Sequence, residues 1–113
     1  MALVGEHDAY SAGRLEGELA VLLDEGRRIV VDLRDADFID SSTLSALLSA
    51  RRVAQQAGLG FTLVLPQRDY TQVSHLLDLT GLRPAFAIYD SLDDALEGAR
   101  RGKCEGGSVR SAA

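Results

Sequence analysis

Apolar residues recur along the chain at a spacing that predicts four helices. Between Ser11 and Glu25, four leucines fall at i, i+4, i+7 and i+8, which places one apolar stripe on a helix. Similar patterns predict helices from about Ser42 to Ala57, from about Asp69 to Leu79, and from Ser91 onward. Three of these helices are followed by a glycine that serves as a stop signal: Gly26, Gly58 and Gly81.

Short runs that are almost continuously apolar predict the strands. They cover residues 29–33, 61–65 and 85–89, with a strand fragment at Leu3-Val4. Runs of this kind are typical of strands covered on both faces, as in parallel sheets. Strands that alternate with helices predict a single α/β domain with a mostly parallel sheet of about four strands and four helices. Functional residues in such sheets lie beyond the carboxyl ends of the strands, so the segments after Leu33, Leu65 and Tyr89 are the first to inspect.

The composition of the chain changes after residue 101. From residue 102 onward Gly, Ser, Arg and Ala dominate, which predicts a domain over 1–101 and a disordered C-terminal tail over 102–113. Such a segment buries too little apolar area to offset the entropy lost on ordering. We therefore expect the tail to be dispensable.

Charge and hydropathy narrow the classes of partner. Seventeen acidic and twelve basic side chains give a net charge of −5, and an acidic surface repels the phosphates of nucleic acids. No apolar run approaches the roughly 20 residues that span a bilayer. The first residues lack the basic start and apolar stretch of a signal peptide. We expect a cytoplasmic protein without a membrane span and without a nucleic-acid partner.

The segment after the predicted strand at 29–33 holds most of the candidate chemistry. It presents several carboxylates and then runs three hydroxyl side chains into a helix start; they are Asp35, Asp37, Asp40, Ser41, Ser42 and Thr43. One interpretation is helix capping, in which Asp, Ser and Thr satisfy the free N–H groups of the first turn. The other is a regulatory phosphoserine, because a helix N-terminus tolerates the added charge of about −1.5 to −2. The spacing alone favours capping.

The order of these motifs resembles that of the bacterial anti-sigma factor antagonists, which consist of a STAS domain. Residues 29–33, then 38–42, then Leu44 are similar to the family's Val-rich strand, Asp-Ser-Ser motif and leucine-rich helix. Residues 5–8 resemble the Gly-Glu-Leu-Asp turn, and residues 73–82 resemble the third helix with its Gly-Leu exit. The resemblance covers about residues 4–99. Two departures stand out: Thr43 replaces the usual Gly, adding bulk where a partner would approach, and the N-terminal strand hairpin is largely missing.

The resemblance implies a function without enzymatic activity. In this family the first Ser after the Asp is phosphorylated by an anti-sigma factor that is itself a serine kinase, and a PP2C-type phosphatase removes the phosphate. The unphosphorylated form binds the anti-sigma factor and frees the sigma factor. By resemblance, Ser41 is the phosphorylation site, and the partner-binding residues are Asp8, Asp40, Ser41, Ser42 and Thr43.

A second hypothesis is a STAS scaffold subunit of a lipid-transport or stress-sensing complex, in which phosphorylation plays no part. The position of Ser41 favours the phosphorylation switch. The missing hairpin favours the scaffold, because an unpaired sheet edge invites a permanent partner or self-association.

No catalytic, cofactor or metal site is predicted. Ser41 lacks the Gly-x-Ser-x-Gly turn of hydrolases, and no Walker loop or dinucleotide fingerprint occurs. The carboxylates from Asp32 to Asp40 resemble the magnesium site of receiver domains, but the Lys that those domains carry after the last strand is missing near Tyr89. Solvated surface charge is therefore the preferred interpretation of this cluster. A single cysteine, Cys104, excludes an internal disulfide.

Overall fold

Strands and helices alternate along the chain in this computed structural model, which describes residues 2–7, 9–65, 71–105 and 107–108. The described strands are β1 (Ala2–His7), β2 (Ile29–Ile39), β3 (Phe61–Val64), β4 (Ala87–Tyr89) and β5 (Gly107–Ser108). The helices are α1 (Ala9–Asp24), α2 (Ser41–Gln56), α3 (Gln72–Thr80) and α4 (Leu92–Arg100), with a 3₁₀ turn at Arg83–Ala85 before β4. None of these helices combines the length and the apolar character that crossing a membrane requires.

The strands form one sheet in the order β1-β2-β3-β4-β5, and every neighbouring pair is parallel. The predicted α/β class, the parallel sheet and the four helices are confirmed. The described sheet has five strands rather than about four, because β5 comes from the segment that the composition assigned to a tail.

Two apolar cores cover the two faces of the sheet. The larger core joins α1, α2 and α3 to alternate residues of the central strands, such as Val31 in β2 and Leu63 in β3. The smaller core lies under α4 and includes Val64 and Ala95, with Val30 packed against it. Successive strand residues point to opposite faces, so a strand between two helical layers must be apolar on both sides. This explains why β2 begins as a continuous apolar run and why all four residues of β3 are buried.

Strand β1 is longer than the two-residue fragment expected at Leu3-Val4. It pairs with β2 in a register that runs from Ala2 opposite Asp32 to His7 opposite Ile39, and it lies at one edge of the described sheet. Self-association through this edge stays a prediction.

The first residues of the predicted tail make hydrogen bonds to the rest of the domain. The N–H of Lys103 donates to the carbonyl oxygen of Gly98 at 2.9 Å, and the N–H of Phe61 donates to the carbonyl oxygen of Lys103 at 2.8 Å. The Cys104 side chain is only 7% exposed, and its Sγ donates to the carbonyl oxygen of Leu59 at 2.9 Å. Backbone hydrogen bonds and one buried thiol therefore order residues 103–105 despite their polar composition. The remaining residues assigned to the tail, 106 and 109–113, lie outside the described residues.

Close backbone contact between α4 and the start of β3 fixes this end of the domain. A Cβ at Gly60 would overlap the main chain of Ala99, so only glycine fits at this position. The contact brings the end of α4 beside β3. After α4 the chain continues into the segment around Cys104.

Burial raises the pKa of the Cys104 thiol, which keeps it protonated at neutral pH.

Candidate functional site

Helix α2 begins directly where the long strand β2 ends. Asp40 occupies the N-cap position with extended backbone angles (φ −103°, ψ −179°). Its Oδ1 accepts a hydrogen bond from the N–H of Thr43 at 3.0 Å and one from the Thr43 hydroxyl at 3.3 Å. The capping interpretation of Asp40 is confirmed. We call residues Asp40, Ser41, Ser42 and Thr43 the cap segment.

The hydroxyl side chains of the cap segment differ in their exposure. Ser41, the first helical residue, is exposed, and Ser42 is half-buried. Thr43 is 0% exposed, so its bulk lies in the interior and not on the surface that a partner would approach. The Thr43 side chain supports the cap through its bond to Asp40, and contact of Thr43 with a partner stays a prediction.

The strand end that precedes the cap segment is held from a distant part of the chain. The side chain of Gln72, the first residue of α3, accepts a hydrogen bond from the N–H of Ile39 at 2.9 Å and donates one to its carbonyl oxygen at 2.8 Å. Ile39 itself is fully buried. Sequence reasoning missed Gln72, because no spacing rule connects two residues 33 positions apart.

The carboxylates around the cap segment do not converge on one point. Asp32 pairs with Arg34 through bonds of 2.7 and 2.9 Å, Asp40 caps α2, and Asp35 and Asp37 are exposed. Within the described residues, no group of three or more His, Cys, Asp or Glu is placed to hold a metal ion.

Hydrogen bonding to Arg34 lowers the pKa of the Asp32 carboxyl, and the same carboxylate raises the pKa of the Arg34 guanidinium. Both groups are therefore charged at neutral pH. Because Arg34 is already engaged by Asp32, its positive charge is largely compensated. The exposed carboxylates Asp35 and Asp37 keep this end of the sheet acidic.

An exposed aromatic side chain lies two residues before the cap segment. Phe38 is 41% exposed, although it belongs to a strand whose neighbours Ala36 and Ile39 are buried. Large aromatic side chains exposed beside polar groups are typical anchors of protein interfaces. The sequence contained Phe38 within the family-like motif but gave no sign of its exposure. Asp8, the remaining predicted partner-binding residue, lies outside the described residues.

Comparison with known proteins assigns the family. The family model of the STAS domain matches residues 1–95. A putative anti-sigma factor antagonist of Thermotoga maritima is 32% identical over 74 residues, which are 66% of this chain and 63% of that protein. The anti-sigma-F factor antagonist RsfB of Mycobacterium tuberculosis is 28% identical over 107 residues, which are 93% of this chain and 84% of RsfB.

A solved structure shares the fold. The unphosphorylated form of the anti-sigma factor antagonist SpoIIAA superposes with a TM-score of 0.62 at 17% identity, covering 89% of this chain and 86% of SpoIIAA. Its similarity concerns the arrangement of strands and helices alone. Together with the match over residues 1–95, these findings confirm the resemblance seen in the sequence: the chain belongs to the STAS domain family.

Proposed function

We propose that this chain is an anti-sigma factor antagonist that binds an anti-sigma factor through the surface around the cap segment. The partner is a serine kinase that transfers a phosphoryl group from ATP to the Ser41 hydroxyl oxygen, and the transfer ends the complex. A PP2C-type phosphatase hydrolyses the phosphoserine and restores binding. The chain acts as a binding protein rather than an enzyme, and the switch operates in the cytoplasm, where sigma factors act.

The exposure of Ser41 carries this proposal. Of the three hydroxyl side chains in the cap segment, Ser41 is the exposed one, while Ser42 is half-buried and Thr43 fully buried. A kinase must bring the hydroxyl oxygen into its own active site, so accessibility favours Ser41 over its two neighbours. The family membership and the relatives named as anti-sigma factor antagonists support the same function over a scaffold subunit.

The local charge explains how one phosphate would change binding without unfolding the domain. At the start of α2 the phosphate lies near backbone N–H groups and the positive end of the helix dipole, and the first turn holds no acidic residue. On the partner's side the same phosphate adds about −1.5 to −2 charges to a surface that already carries the exposed carboxylates Asp35 and Asp37 near the end of β2. Like charges brought together at an interface cost several kcal/mol, and about 3 kcal/mol already weakens binding roughly a hundredfold.

The test compares two serines on the same helix. Ser41 and Ser45 are both exposed and lie about one turn apart, so Ser45 is the matched control. Binding of each variant to the purified anti-sigma serine kinases of the same genome is measured by titration calorimetry. Ser41→Asp should bind roughly a hundredfold more weakly than the parent chain, while Ser45→Asp should bind within about threefold.

Ser41→Ala should bind as tightly as the parent and should stay bound when ATP is added. Ser41→Asp should melt within a few degrees of the parent, because an acidic group suits a helix N-terminus. If Ser41→Asp binds every such kinase as tightly as the parent does, the phosphorylation switch is wrong. The non-switching scaffold subunit then becomes the better hypothesis.

A further inference from the structure

Strand β2 continues well beyond the end of its neighbour β3. The two strands pair only from Ile29 opposite Phe61 to Asp32 opposite Val64, whereas β2 runs on to Ile39. The last part of β2 therefore has β1 beside it, but not β3. Backbone N–H and C=O groups at a buried strand end need other partners, because leaving them unpaired is costly.

The side chain of Gln72 supplies these partners. Its Oε1 accepts from the Ile39 N–H at 2.9 Å, and its Nε2 donates to the Ile39 carbonyl oxygen at 2.8 Å. This reciprocal pair is what one residue of an adjacent antiparallel strand would provide. A carboxamide can make both bonds because it carries an acceptor and a donor side by side. One residue earlier, the Thr71 hydroxyl caps α3 by accepting from the Ser74 N–H at 3.1 Å, and it makes no hydrogen bond to Ile39.

Ile39 immediately precedes Asp40, so these two hydrogen bonds set where the cap segment begins. We infer that Gln72 is a positioning residue for the Ser41 site: it fixes the end of β2, so that Asp40 caps α2 and Ser41 is held at a defined place on the surface. Helix α3 and the start of α2 consequently behave as one unit. The role in phosphorylation rests on the proposed function of Ser41, whereas the positioning of the cap segment does not.

The primary test measures amide hydrogen exchange by NMR in the full chain. Gln72→Ala removes both hydrogen bonds, and exchange of the Ile39 and Thr43 amides should become about tenfold faster or more than in the parent. Gln72→Glu keeps the acceptor for the Ile39 N–H but loses the donor, so it should retain part of the protection at Ile39. Thr71→Ala is the matched control: it removes the cap of the same helix without touching the bonds to Ile39.

The second readout is the rate of Ser41 phosphorylation by the anti-sigma serine kinase. Gln72→Ala should lower kcat/KM about tenfold relative to Thr71→Ala, because a mobile acceptor hydroxyl loses its alignment with ATP. If Gln72→Ala and Thr71→Ala change the Ile39 and Thr43 exchange rates equally, Gln72 does not position the cap segment. If their kcat/KM values agree within twofold, Gln72 has no role in the phosphorylation of Ser41. If the parent chain is not phosphorylated at all, the proposed function fails, while the exchange comparison still decides whether Gln72 positions the cap segment.

Discussion

The hydrogen bonds that Asp40 makes at the start of α2 contribute a measurable part of the stability of the domain. In Asp40→Ala the side-chain acceptor disappears, and both the N–H and the hydroxyl of Thr43 lose a hydrogen bond. Asp40→Asn keeps an oxygen in the same position and removes only the charge. The two variants therefore differ mainly in the cap hydrogen bonds.

The expected loss follows from these two hydrogen bonds. Replacing an N-cap Asp by Ala costs about 1 kcal/mol, within a range of roughly 0.5–2 kcal/mol. The Thr43 hydroxyl is fully buried, and its bond to Asp40 adds about 0.5–1.5 kcal/mol. We expect Asp40→Ala to lower the free energy of unfolding by about 1–3 kcal/mol, which for a domain of this size lowers Tm by roughly 5–15 °C. Asp40→Asn should stay within about 1 kcal/mol of the parent.

Urea unfolding followed by circular dichroism gives the free energies, and a thermal scan gives the Tm values. Asp37→Ala is the control, because Asp37 is an exposed carboxylate nearby; it should change the free energy of unfolding by no more than about 0.5 kcal/mol. An Asp40→Ala chain that unfolds within 2 °C of the parent, or that loses no more stability than Asp37→Ala, would refute the contribution assigned to the cap.

Three further predictions concern other parts of the domain. Arg34 lowers the pKa of Asp32 in the folded state below the ordinary value of 3.8. The ionised carboxylate therefore stabilises the fold when the pH is above 3.8, and this contribution is lost as the pH falls through the lowered pKa. Asp32→Asn should therefore lose less stability than the parent between about pH 5 and pH 2.5, as measured by urea titration at each pH. Phe38→Ala should weaken kinase binding by about 1–2 kcal/mol in calorimetry, without a comparable loss of stability, since its side chain is 41% exposed. A chain ending at Arg101 should melt several degrees below one ending at Glu105, because the four residues between supply a backbone acceptor and a buried thiol; equal Tm values would support the dispensable tail expected from composition.

The helices could be predicted because their packing follows local periodicity. Of the four leucines assigned to the α1 stripe, Leu15, Leu19 and Leu23 are buried and Leu22 is partly buried. The position of the site was also predictable, because an Asp followed by hydroxyl residues at a strand end specifies an N-cap through local hydrogen bonds alone. Positive φ angles at Gly26, Gly58 and Gly81 likewise agree with their role as stop signals.

The missed features depend on contacts between segments far apart in the chain. The length of β2 beyond Asp32 depends on β1 and on Gln72, and neither can be inferred from the alternation of residues 33–39. The packing of residues 103–105 against the domain depends on a hydrogen bond from the backbone N–H of Phe61 to the carbonyl oxygen of Lys103, which composition does not reveal. The inward direction of Thr43 follows from its hydrogen bond to Asp40, although the residue type alone suggested surface bulk.

The central claim is that Ser41 is the residue phosphorylated by an anti-sigma serine kinase. The most direct measurement is phosphopeptide mapping by mass spectrometry, after the purified chain has been incubated with ATP and each candidate kinase of the same genome. The account predicts one phosphate per chain, located on Ser41, and none on the Ser41→Ala chain. Phosphate on Ser42 or Thr43 in the parent chain would contradict the assignment of the site, and absence of phosphate with every kinase would contradict the switch itself.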